Sequence, residues 1–90
     1  MKFTPKEAIA VRALATASSY ALNAKKALLR GDCKKARTLI KKAHVAHVAA
    51  DRKVVAAQRG AAASWLWASH ERVLDRIDSI DTETRRCRKR

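Results

Sequence analysis

Ninety residues carry 21 lysines and arginines against 8 aspartates and glutamates, a net charge of +13. A chain this short builds one domain around a thin core. It leaves no room for a large cleft between two layers, which counts against an enzyme. Alanine is the commonest residue, and the only aromatics are Phe3, Tyr20, Trp65 and Trp67. That composition excludes a sheet core and favours long helices.

The charge is unevenly spread. Residues 1–60 hold 14 of the basic groups and 3 of the acids, whereas residues 85–90 hold 5 basic groups and no acid. Such a surface attracts polyanions: nucleic acid, or an acidic protein. No apolar run approaches the roughly 20 residues of a membrane span, and the first helix lacks the bulky apolar face of an interfacial helix, so a membrane partner is excluded. With no export signal in view, the expected compartment is the cytoplasm. There, Cys33 and Cys87 are expected to stay free thiols.

The expected fold is all-α: a three-helix bundle of long antiparallel helices over about residues 5–29, 33–59 and 62–84, followed by a basic tail. Thr4-Pro5-Lys6-Glu7 opens the first helix. Thr4 can accept from the Glu7 amide while Glu7 reaches back to the Thr4 amide, and proline at the first helical position loses no bond. Phe3 stands where a hydrophobic staple onto Ala8 or Ile9 would form. The apolar stripe of this helix reads Val11, Leu14, Ser18, Leu22, Leu28 and Leu29. Lys25 interrupts it, with its aliphatic stem expected along the core edge. Gly31 ends the helix as a left-handed cap and Asp32 caps the next, so the short loop forces an antiparallel hairpin.

The second helix has its stripe at Ala36, Leu39, Ile40, Ala43, His47, Ala50, Val54 and Ala57, the period of an amphipathic helix. The third has Leu66, His70, Val73, Leu74, Ile77 and Ile80. Its acids Glu71, Asp75, Asp78 and Asp81 are expected to face basic residues of the first two helices. An alternative is that the second helix runs through Gly60 as one bent rod, which would need a partner chain to cover its stripe. Residues 85–90, with five like charges, are expected to be a disordered tail outside the domain at 1–84.

Gly31-Asp32-Cys33-Lys34-Lys35-Ala36, together with Ala43, is similar to the start of the second helix of a tetratricopeptide repeat. Tyr20 and Ala24 fall where that family puts its large and small residues in the first helix. The resemblance covers about residues 20–43. It departs from the family in the length of the second helix and in having no second copy at the period of about 34 residues. It implies a hairpin of that packing chemistry and no peptide groove.

The densest cationic cluster is Lys25, Lys26, Arg30, Lys34, Lys35, Arg37, Lys41 and Lys42, eight cations within 18 residues. It straddles the Gly31 turn, so folding should gather it at one end, where it could grip phosphates without reading bases. Arg85, Arg86, Arg88, Lys89 and Arg90 could add a second contact. The expected function is thus a non-enzymatic binding protein docking nucleic acid non-specifically. The alternative is a protein-interaction module on the acidic surface of a larger assembly, a build shared by small viral and phage accessory proteins.

Trp65 and Trp67 fall on opposite faces of a helix, one expected in the core and the other a candidate partner anchor. His44, His47 and Asp51 have a spacing that permits a metal, but core-edge histidines bonded to neighbours are the plainer reading, and no metal or cofactor is expected. The serines at 18, 19, 64, 69 and 79 pair with no evident base, and no glycine-rich loop is present for phosphates.

Overall fold

In a computed structural model, described over residues 4–57 and 63–87, the chain forms α1 (Pro5–Leu29), α2 (Cys33–Ala57) and α3 (Ala63–Arg86). All three helices of the expected bundle are present. The capping box of α1 forms as the sequence dictates: the Glu7 amide donates to Thr4 Oγ1 at 3.2 Å and the Thr4 amide to Glu7 Oε1 at 3.1 Å. Phe3 and its staple lie outside the described residues.

Gly31 adopts φ +78°, the left-handed conformation that ends α1. Its amide donates to the Leu28 carbonyl at 3.0 Å and the Asp32 amide to the Ala27 carbonyl at 2.9 Å, the paired bonds of a Schellman turn. Asp32 then caps α2, its carboxylate accepting from the Lys35 amide at 3.0 Å. The turn reverses the chain within three residues and sets α1 antiparallel to α2.

α3 returns alongside both. Its register is fixed by contacts that run antiparallel to α2: Asp51 with His70, His44 with Asp81, and Arg37 with Cys87. Against α1 it runs parallel, with Arg76 Nη1 donating to Ser18 Oγ at 2.9 Å and Lys25 donating to Glu83, each pair 58 residues apart. The bundle is 50 Å long and 21 by 16 Å across.

Two clusters make the core. One joins Ala17, Ala21 and Ala24 of α1 to Ile40 and Ala43 of α2 and to Ile77 and Ile80 of α3. The other joins Ala10 and Leu14 to Ala50, Val54 and Leu66. The expected stripe of α1 is corrected in part: Leu14 is buried and Val11 and Leu28 pack on the core, but Leu22 is 46% and Leu29 77% exposed. Most of the inward face is alanine, whose methyl-sized side chains let α1 and α2 approach closely. The stripes of α2 and α3 hold, with Thr84 added; its hydroxyl is buried and donates to the Ile80 carbonyl at 2.8 Å.

Two further expectations change. Glu71, Asp75 and Asp78 are exposed and form no ion pair with a base of α1 or α2 among the described residues. Asp81 does face His44, at 3.5 Å, and Glu83 takes Lys25. Residues 85–87 of the expected tail belong to the fold instead: Arg85 and Arg86 form the last turn of α3, and Cys87 is bonded to Cys33; residues 88–90 lie outside the described residues. The thiols are not free. Residues 58–62, where a bent rod would have continued, lie outside the described residues.

Candidate polyanion-docking end

Folding assembles one end of the bundle from three pieces: the last turn of α1, the first turn of α2 and the last turn of α3. The Cys33–Cys87 disulfide joins the second piece to the third, with Cα atoms 5.7 Å apart. Arg37 reinforces the junction, its Nη2 donating to the Cys87 carbonyl at 2.9 Å. The chain beyond Cys87 therefore leaves the domain beside the Gly31 turn. Arg88, Lys89 and Arg90 themselves lie outside the described residues.

The thirteen cations anticipated from sequence divide into groups. Lys25 is half-buried and bound to Glu83, and Arg85 lies 3.2 Å from Asp81. Arg37 is engaged with the Cys87 carbonyl. Lys26, Arg30, Lys34, Lys35 and Arg86 are exposed and form no ion pair among the described residues. Lys41 and Lys42, also exposed, stand further along α2 and border a groove between α1 and α2. Of the sequence cluster of eight, four members stand at the Gly31 end, where Arg86 joins them from α3, and Lys41 and Lys42 continue two turns along α2 from Lys34 and Lys35.

The placement of Lys34 and Lys35 is electrostatically uphill. The first turn of α2 contains no acid, and the positive end of a helix dipole disfavours cations there by a few tenths of a kcal/mol each. Asp32 at the cap is the only local offset. Lys26, Arg30 and Arg86 stand at helix C-termini, where the dipole favours them. The result is a field of one sign that an incoming anion would relieve.

The histidines have structural partners. His47 Nε2 lies 3.2 Å from the His70 carbonyl; a carbonyl only accepts, so this nitrogen carries the proton. The two rings lie tilted at 42° with centroids 4.2 Å apart, and Trp67 meets His70 edge-on at 5.0 Å. Asp51 Oδ1 lies 3.0 Å from His70 Nε2, yet neither ring nitrogen of His70 has a well-aligned hydrogen bond, so the contact is electrostatic more than directional. No three His, Cys, Asp or Glu side chains converge on a metal-sized site among the described residues. Trp65 and Trp67 are both half-buried against the Leu14–Val54–Leu66 cluster, at the edge of the core.

The clasp itself was missed from sequence. In an up-down-up bundle the start of the second helix and the end of the third share one end, and Cys33 and Cys87 occupy those two places. The signal was there in the helix bounds. No described helix is long and apolar enough to cross a membrane. No family model, curated protein or solved structure matches this chain.

Proposed function

We propose that this chain is a small non-enzymatic binding protein that docks a polyanion, nucleic acid first, on the end of the bundle around Gly31. The observation that carries the reading is the set of exposed cations without ion pairs, Lys26, Arg30, Lys34, Lys35 and Arg86, at the junction clasped by Cys33 and Cys87. Lysine and arginine side chains on helix ends contact phosphates and leave base edges unread. Binding is accordingly sequence-tolerant and driven by counterion release.

The cytoplasmic expectation rested on the lack of an export signal, and free thiols followed from it; the Cys33–Cys87 bond speaks against that compartment, because such bonds are rare in a reducing one. Fluorescence anisotropy with a labelled duplex at two salt concentrations tests the function. Absence of binding at low salt overturns it.

A further inference from the structure

The α1–α2 hairpin offers two grooves. α3 fills one. The other is open among the described residues, and none of its described lining belongs to α3. Its floor is Ala13, Thr16 and Tyr20 of α1 with Val45, Ala46 and Ala49 of α2, around a volume of about 580 Å³. Val45 is 72% exposed, and Ile9, one turn before Ala13 on the same side of α1, is 47% exposed. The Thr16 hydroxyl donates to the Arg12 carbonyl at 3.0 Å, so its polarity is already satisfied within the helix. This is an apolar strip on a chain otherwise covered in charge.

We propose that this groove receives an acidic amphipathic helix of a partner protein, packed against α1 and α2 as a fourth helix. The rim charge selects the sign. Lys41 and Lys42 border the groove, and the exposed Lys53 continues the Lys42–Ala46–Ala49 row at spacings of three and four. The acids of the hairpin lie elsewhere. Glu7 is buried in its capping box, Asp32 caps α2, and Asp51 faces His70 on the side of α3. The groove's lining therefore has cations at its edge and no carboxylate, although Lys41 also borders the α2–α3 groove that Asp78 and Asp81 line.

The filled groove supplies an internal precedent. There the hairpin holds α3 by the same chemistry, an apolar row of Leu66, Ile77 and Ile80 over alanines, with Glu83 on Lys25 and Asp81 on His44 at the margin. A second copy of the chain is a poor occupant. Two grooves apposed about a twofold axis would bring together two lysine-rimmed surfaces of like charge. A phosphate backbone is no better, since it gains nothing from a floor of methyl groups. The site does not depend on the polyanion reading of the Gly31 end.

The test uses the full chain with labelled methyl groups. The probe is a capped synthetic peptide of about 18 residues, with leucines at helical spacings of three and four and glutamates elsewhere. A control peptide has the same composition in scrambled order. The amphipathic peptide should shift the methyl signals of Ala13, Val45, Ala46 and Ala49, and should bind at least about tenfold tighter than the control. V45E with A49E, both at exposed helix positions, should keep the helical circular dichroism and lose at least about tenfold in affinity. K34E with K35E should leave peptide affinity within about twofold, which separates this groove from the Gly31 end. Equal binding of the scrambled peptide, shifts centred on Lys34 and Lys35, or no shift at all would overturn the proposal. So would groove methyls moved by a duplex oligonucleotide, or a free chain that already pairs through this face.

Discussion

Cys33 is the first residue of α2 and Cys87 the first after α3, and their sulfurs are bonded across a sequence separation of 54 residues. A loop of that length loses much of its unfolded-state freedom when closed, an effect of about 4 kcal/mol in the chain-entropy description. In a domain with a stability of only about 5–15 kcal/mol, that is a large share. Reduction with dithiothreitol, or Cys87→Ser, should lower the unfolding free energy by about 2–4 kcal/mol in a urea titration. Coincident oxidised and reduced transitions would show that the bond contributes nothing.

Salt should govern nucleic-acid affinity. If Lys26, Arg30, Lys34, Lys35 and Arg86 neutralise about five duplex phosphates, log affinity falls against log salt with a slope of about −4.5, or about 500-fold between 50 and 200 mM. K34E with K35E should flatten the slope by about 2 units and weaken binding. Neither side chain is buried, and acids in the first turn of α2 suit its dipole. Helicity should therefore hold by circular dichroism. An unchanged slope would take Lys34 and Lys35 out of the interface.

Gly31 is a conformational position and not a packing one. A Cβ built there meets nothing within 4 Å, yet φ is +78°. Gly31→Ala should cost about 1–2 kcal/mol from the left-handed backbone alone. Gly31→Asn, which tolerates that region, should cost clearly less. Equal losses for the two variants, measured by thermal unfolding, would point to a steric cause instead.

The sequence made the turns and caps legible because their chemistry is local. Thr4, Glu7, Gly31 and Asp32 each act within four residues of their own position, so spacing alone identified them. α2 and α3 were legible because Ile40, Val54, Leu66 and Ile77 are bulky enough to mark the inward face. The inner face of α1 was not. Apart from Leu14, alanine is buried there and Leu22 and Leu29 are exposed, a choice set by how closely α2 approaches, and that distance is a property of the assembled pair. The candidate docking end was half legible. The Gly31 turn does gather four of the eight cations, but the rise of two helical turns, about 10 Å, sets Lys41 and Lys42 further along α2, and internal partners claim Lys25 and Arg37. The clasp required knowing that the two ends with cysteines coincide.

The reversal of alanine and leucine on α1 has a consequence that runs against hydrophobicity ranking. Ala21 is fully buried between α2 and α3 side chains, whereas its neighbour Leu22 is 46% exposed. Adding three carbons at Ala21 must push α1 off Ile40 and Ala43 or force their rotamers, so Ala21→Leu should destabilise the bundle by about 1–3 kcal/mol. Removing three carbons at Leu22 vacates surface that water already reaches, so Leu22→Ala should change stability by no more than about 0.5 kcal/mol. Alanine's higher helix propensity offsets part of even that loss. The order would invert if the leucines formed the inward face, since Leu22→Ala would then open a cavity costing about 2–5 kcal/mol. Urea titrations of the two variants decide which face of α1 meets the core.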